Sequence, residues 1–331
     1  MNRTLNFRGK TNMGNIIEVK NLYKQFNLEA GFFAKNRQNV YAVNDVSFDV
    51  ARGRTYGIVG ESGCGKTTTA KMLIQLFRQT AGEIVYYPEN GEKLSLSSLN
   101  KKELSRYREE VKYIFQDPAR SLNPRMSVFD VITAGLRYSS LWQGKKEALE
   151  RAEKIISEVG LKGEDLFRRP AEFSGGQRQR ISIARGLIMN PRLILCDEVV
   201  SALDVSIQGQ IINLLSDLKA SRNLTYVFIT HDLKVACYFC DKIGVMYRGL
   251  LVEEAPAADL YKNAAHPYTQ LLFRGAKGEL TSSNKEVKTT LEKENCCPFA
   301  YRCPRASDRC RAELPQFRQL EDGHRVRCFL E

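Results

Sequence analysis

An α/β fold built on a parallel sheet, with a phosphate-binding loop at the end of one strand, is predicted by three observations. Gly60 to Thr67 reads GESGCGKT between an apolar run and a helical pattern. Leu193 to Cys196 is an unbroken apolar run that closes on the acidic pair Asp197 and Glu198. A second glycine-rich segment, Phe173 to Arg180 (FSGGQRQR), precedes that run and heads another helical pattern.

The first segment predicts a strand over Thr55 to Val59 (TYGIV) and a helix over Thr67 to Phe77, where Ala70, Leu73, Ile74 and Phe77 recur at helical spacing. Gly60, Gly63 and Gly65 carry no Cβ, so consecutive backbone N–H groups can turn inward around an anion. The helix N-terminus adds partial positive charge, and Lys66 adds a full one for β- and γ-phosphates. Thr67 can offer its hydroxyl to Mg²⁺. Glu61, Ser62, Cys64 and Thr68 belong to the same nucleotide-binding stretch. A chance glycine turn would explain the glycines but not the lysine, the hydroxyl and the strand–loop–helix setting together.

Leu193 to Cys196 has the uninterrupted apolarity of a strand buried on both faces of a parallel sheet. Carboxylates at the C-terminal end of such a strand lie at the crevice where open α/β sheets bind ligands. Asp197 is therefore expected to hold Mg²⁺, directly or through water. Glu198 is expected to orient and polarise the water that attacks the γ-phosphate.

Around this core, the alternation in Ile16 to Val50, seen in Val46, Phe48 and Val50, predicts an antiparallel β subdomain. Residues from about 117 to 172 are expected to form a helical subdomain insert. Its clearest helix runs from Lys145 to Val159 with Leu149, Ala152, Ile155, Ile156 and Val159 on one face. Residues 1–15 read as a disordered leader and Lys277 to Asn295 as a polar linker. No apolar run is long enough to cross a membrane.

Ser174, Gly175, Gly176 and Gln177 match the signature of the ABC ATPases, and the remaining motifs follow in that family's order. The resemblance implies a RecA-like P-loop NTPase core that binds ATP and Mg²⁺. It makes Gln116 the Q-loop glutamine, facing both Mg²⁺ and the transmembrane partner, and Ser201 to Asp204 (SALD) the D-loop. His231 resembles the switch histidine that contacts the γ-phosphate. Phe26 stands where the family places an aromatic ring on adenine, with Tyr41 as competitor. Ser174 can act as an N-cap, so the signature would present N–H groups in trans to a nucleotide held by a second ATPase subunit. Val199, Gly186 and Phe173 depart from the commonest family residues, and none removes a catalytic group.

FQDPARSLNPRMSV (Phe115 to Val128), CDEVVSALDVSIQ (Cys196 to Gln208) and HPYTQLL (His266 to Leu272) resemble the oligopeptide and dipeptide permease branch, which includes nickel importers. That resemblance covers the chain from about Ile17 onward. It implies residues 16–260 as the ABC ATPase domain and 261–331 as the C-terminal region of the branch. It also implies a second homologous ATPase, two transmembrane permease subunits and an extracytoplasmic substrate-binding protein. The chain would then sit peripherally on the cytoplasmic face of the plasma (inner) membrane and power import of di- or oligopeptides, a nickel complex or another solute being the alternative cargo.

Of nine cysteines, Cys64, Cys196, Cys237 and Cys240 read as reduced packing residues. Cys296, Cys297, Cys303, Cys310 and Cys328 crowd into the tail and call for a metal or a disulfide set. Disulfides fit poorly with an ATP site. Zinc is possible, with His324 as a spare ligand, although the gaps exceed those of common zinc knuckles. Members of the branch that this chain resembles carry a similar pattern, which in some holds a 4Fe-4S cluster, and this implies Cys297, Cys303, Cys310 and Cys328 as ligands and Cys296 as a redundant neighbour. The small cysteine-rich module would be held together by its metal.

The net charge of +12 suits a protein beneath an anionic membrane, and it would also suit nucleic acid. A non-transport ABC ATPase acting on nucleic acid or the ribosome usually carries two ATPase modules or a long coiled-coil insertion. This chain has one copy of each motif, so no direct nucleic-acid contact is expected. A regulatory subunit without hydrolysis would be expected to lack Glu198 or His231, and both are present.

Overall fold

The structure is a computed structural model and describes residues 14–28, 38–89, 91–276, 295–321 and 323–330. Most of the expected leader, part of the insertion between residues 28 and 40, and the expected linker lie outside the described residues.

The chain opens with β1 (Asn15–Leu28), β2 (Gln38–Ala51) and β3 (Thr55–Val59), followed by α1 (Lys66–Leu73), β4 (Ala81–Tyr86) and β5 (Leu94–Ser95). Next come α2 (Lys101–Glu110), β6 (Val111–Ile114), α3 (Pro118–Ser121), α4 (Val128–Thr133) and α5 (Lys145–Glu158). The middle is α6 (Gly175–Leu187), β7 (Leu193–Asp197), α7 (Val205–Arg222), β8 (Thr225–Thr230) and α8 (Leu233–Phe239). The remainder is β9 (Lys242–Tyr247), β10 (Leu250–Pro256), α9 (Ala257–Asn263), α10 (Pro267–Ala276), α11 (Asp308–Ala312), β11 (Arg318–Glu321) and β12 (His324–Val326).

Two sheets result. The larger runs in the order β11-β12-β10-β9-β3-β8-β7-β6, parallel from β9 to β6 and antiparallel beyond. The smaller is antiparallel in the order β2-β1-β4-β5. The period of two is visible in the packing of the parallel strands. Leu193, Leu195, Val227 and Ile229 join Ile58 on the side that also buries Ala70, Leu73 and the smaller sheet. Ile194, Cys196, Tyr226 and Phe228 face the other way, against the helices from α4 to α8. Covered on both sides, these strands have no polar face, which is why the sequence reads as continuous apolar runs.

Between β6 and α6 lie α3, α4 and α5, with α5 burying Ala148, Ala152, Ile155 and Ile156. The C-terminal region is joined to the core sheet. Strands β11 and β12 extend the core sheet, and Cys297, Phe299, Ala300 and Cys310 belong to its main apolar cluster. The segment need not supply a core of its own, because it borrows that of the sheet.

Two consecutive buried carboxylates on β10 fasten it. Glu253 accepts the N–H groups of Ala265 (2.7 Å) and His266 (3.0 Å) and the His324 Nε2 proton (2.8 Å). Glu254 accepts the Tyr56 hydroxyl at 2.8 Å, Arg325 Nε at 2.5 Å and lies 3.2 Å from Lys242 Nζ. His324, considered above as a spare zinc ligand, is thus committed to Glu253. Among the described residues no helix is long and apolar enough to cross a membrane.

Candidate active site

Strand β3 hands over to α1 through the glycine loop, and two contacts explain two of its three glycines, Gly60 and Gly65. Gly65 caps α1 at φ 108°, where a Cβ would lie 2.2 Å from the Ala42 carbonyl oxygen. A Cβ on Gly60 would lie equally close, at 2.2 Å, to the carbonyl oxygen of Met246. Neither backbone oxygen can swing aside as a side chain could. Lys66 is 4% exposed and donates its ammonium to the carbonyls of Gly60 (2.7 Å) and Glu61 (2.9 Å). Carbonyl dipoles leave its charge uncancelled, the condition for attracting a phosphate. Burial pushes the Cys64 thiol up, so it sits in the loop as a neutral packing group.

Asp197 ends β7, almost out of contact with solvent, and accepts the hydroxyls of Thr67 (3.1 Å) and Tyr113. Burial pushes its carboxyl up, and the two hydroxyls act against that. Glu198 follows at φ 48°, a left-handed conformation that costs a non-glycine residue about 1–3 kcal/mol. It is held there by its N–H on the Ile229 carbonyl (2.9 Å) and by Ser201, whose N–H (3.2 Å) and hydroxyl (2.8 Å) both reach the Glu198 carbonyl. Gln116 Nε2 donates to Glu198 Oε2 at 2.8 Å, and His231 Nδ1 lies 3.6 Å from the same oxygen. Gln116, Glu198 and His231 leave the ends of β6, β7 and β8, which are neighbours in the sheet and lead to β3 and its loop.

Of the expected Mg²⁺ ligands, Thr67 and Asp197 are directly bonded, while Gln116 reaches the site through Glu198. Their oxygen-donor chemistry fits a hard cation.

The signature is built as expected at its start. Ser174 caps α6 in a reciprocal box with Gln177, accepting its N–H at 3.3 Å while Gln177 Oε1 accepts the Ser174 N–H at 2.9 Å. A Cβ on Gly176 would come within 2.8 Å of Ile207 Cγ2, so α6 begins tight against α7. Ser174, Gln177, Asp204 and Val205 are exposed, giving the signature and D-loop one shared open face.

Phe26 and Tyr41 lie on the paired strands β1 and β2. The Phe26 ring meets Phe77 edge-on at 5.6 Å beneath the Lys24 ammonium, whereas Tyr41 directly precedes the Ala42 carbonyl that abuts Gly65. Three site neighbours escaped the sequence reading. Tyr113 lies in an apolar strand, Tyr268 inside the HPYTQLL motif and Arg302 between cysteines, and only their tertiary partners mark them.

In the tail, burial foremost pushes up the thiols of Cys297, to about 11, and of Cys303 and Cys328. The Cys297 N–H donates to the Cys310 carbonyl at 2.9 Å, which brings those two residues together. Among the described residues, however, no group of three or more His, Cys, Asp or Glu side chains is arranged to hold a metal ion.

A phosphate loop, a strand-end acidic pair and a capped glycine signature on one α/β sheet define an ATP-binding cassette. The family pattern described as ABC transporter matches residues 43–201, and that described as oligopeptide/dipeptide transporter, C-terminal region, matches residues 252–310. The chain belongs to the ABC transporter ATP-binding subunits of the oligopeptide/dipeptide family. It is 42% identical over 315 residues to the oligopeptide transport ATP-binding protein OppF of Bacillus subtilis (strain 168), covering 95% of this chain and 96% of that one. It is 40% identical over 328 residues to AppF of the same organism, with 96% and 98% covered. Among solved structures it resembles the dimeric post-hydrolysis ATP-binding cassette MJ0796 bound to ADP and Pi (TM-score 0.62, 28% identity, covering 73% of this chain and 98% of that one).

Proposed function

We infer that this chain is the ATP-hydrolysing subunit that powers peptide import through a membrane ABC transporter. The observation that carries the reading is the convergence of Lys66, Thr67, Asp197, Gln116, Glu198 and His231 at the ends of four neighbouring parallel strands. The names of relatives such as OppF support peptides as cargo.

In this reading Lys66 turns its ammonium from the loop carbonyls to the β- and γ-phosphates. Thr67 and Asp197, with Gln116 beside them, would hold Mg²⁺, which would supply neutralisation of phosphate charge. Glu198 orients and polarises the attacking water. Gln116 donates to one oxygen of its carboxylate, and His231, half exposed beside that same oxygen, is free to meet the γ-phosphate. Either Phe26 or Tyr41 stacks on adenine. The exposed face of Ser174 to Gln177, with Ser201 and Asp204, closes over nucleotide on a second ATPase subunit of similar sequence. ATP joins the two, hydrolysis separates them, and two permease subunits convert that cycle into transport of cargo delivered by an extracytoplasmic binding protein. The chain would lie on the cytoplasmic face of the plasma membrane.

For the C-terminal cysteines the reading is a 4Fe-4S cluster on Cys297, Cys303, Cys310 and Cys328, supported by their crowding into the tail, with zinc as the alternative. About four iron atoms per chain and a broad band at about 400 nm in anaerobically purified protein support the cluster, and one zinc in colourless protein replaces it. The ATPase reading is tested by Glu198→Gln. In the assembled transporter, turnover is expected to fall by about 10²-fold or more while ATP still binds. Near-normal turnover would remove Glu198 from the mechanism.

A further inference from the structure

The C-terminal region reaches the phosphate loop itself. Glu61, second in the loop, is gripped at every polar group. Its N–H donates to the Tyr268 hydroxyl (2.9 Å), and its carbonyl accepts Lys66 Nζ (2.9 Å). Its two carboxylate oxygens accept the two terminal nitrogens of Arg302 at 2.9 and 3.0 Å. Arg302 leaves the turn between Cys297 and Cys303, and Tyr268 is fully buried in α10. Tyr247 ties both together. Its ring centroid lies 4.5 Å from that of Tyr268 and 5.3 Å from that of Phe299, and the guanidinium lies over the Tyr247 and Phe299 rings. An exposed ion pair would contribute little. This one is bidentate, the Arg302 side chain is 19% exposed against 40% for Glu61, and aromatic rings fix the plane of the guanidinium.

We propose that Arg302 and Tyr268 are positioning residues for nucleotide binding, through which the C-terminal region sets the ATP affinity of the phosphate loop. The proposal rests on the reading of residues 60–67 as the nucleotide site. Two physical effects act in the same direction. When Lys66 turns to phosphate, the Glu61 carbonyl keeps only the longer bond from the Cys64 N–H (3.3 Å), and Tyr268 and Arg302 remain to keep the loop in shape. A loop held beforehand loses less freedom on binding. In addition, Glu61 places a carboxylate in a site that must accept an anion, and the guanidinium cancels that charge. Neither residue touches the reacting atoms, so the effect falls on binding and not on the chemical step.

The test measures Mg-ATP affinity by calorimetry on the full-length chain, and KM and kcat in the assembled transporter. Arg302→Met is expected to weaken binding by about tenfold, the low end for a charged hydrogen-bonded pair, with kcat changed less than about twofold. Arg302→Lys keeps the charge but not the fork and should lie between. Tyr268→Phe, which preserves the ring cluster, should weaken binding by about threefold. On a Glu61→Gln background, Arg302→Met should cost much less than in the parent chain, because its partner charge is already gone. Parent-like affinity in Arg302→Met, or an equal loss on both backgrounds, overturns the proposal. If Arg302→Met does not fold, Arg302→Lys and Tyr268→Phe decide it, and unchanged affinity in both overturns it. A parent chain that binds no Mg-ATP instead sinks the nucleotide-site reading.

Discussion

His324 on the last strand places Nε2 2.8 Å from Glu253 Oε1 on β10, with side chains 3% and 0% exposed. This buried pair joins the end of the chain to the core sheet, and the same carboxylate accepts two backbone N–H groups at the start of the HPYTQLL segment. Removing His324 leaves this buried carboxylate with only its two backbone donors, at a cost of about 1.5–3 kcal/mol for a hydrogen bond to a charged group. His324→Ala is therefore expected to lower unfolding free energy by about 1.5–3 kcal/mol in denaturant titration. A change below about 0.5 kcal/mol, the level of a surface substitution, would contradict this account.

His266 supplies an acid-sensitive element. Burial pushes its imidazole from the ordinary 6.5 down to about 4. Its Nδ1 accepts the Tyr268 N–H at 3.1 Å, which a protonated ring cannot do. The Glu253 carboxylate faces this turn through the His266 N–H, and the Phe299 ring packs 5.8 Å away. Between pH 6.5 and about 4 the unfolded chain takes up a proton that the folded chain refuses. Stability from this group is whole above pH 6.5 and is lost as pH falls through that window, by about 3 kcal/mol in all. His266→Gln should flatten this part of the stability profile, and an unchanged acid slope would show that the imidazole is not its source.

Gly65→Ala tests the close approach of the phosphate loop to β2. The left-handed backbone at φ 108° and the Ala42 oxygen 2.2 Å from the new Cβ both oppose the substitution. Strain of about 1–3 kcal/mol from the backbone alone is expected, together with loss of measurable Mg-ATP binding. Full affinity in a stably folded variant would mean that the loop has room the structure does not show.

How much was legible beforehand follows from the range of each interaction. Local sequence specified the strand–loop–helix around Lys66, the buried strand ending on Asp197 and Glu198, the cap at Ser174 and the helix beginning at Lys145. Each is a local matter of periodicity, glycine backbone freedom or a side chain bonding within its own turn, and each stands within a few residues of its expected place. Motif order carried the family and the candidate roles of Gln116, Asp204 and His231. Tertiary structure decided what depends on partners far along the chain. It set Tyr113 on Asp197, paired His324 with Glu253 rather than leaving it for a metal, and brought Arg302 across 241 positions to Glu61. It also folded the cysteine-bearing tail onto the core sheet. A buried carboxylate or an aromatic ring leaves no periodic trace of which distant group will satisfy it, so these contacts exist only once the sheet has brought its far edge and its phosphate loop together.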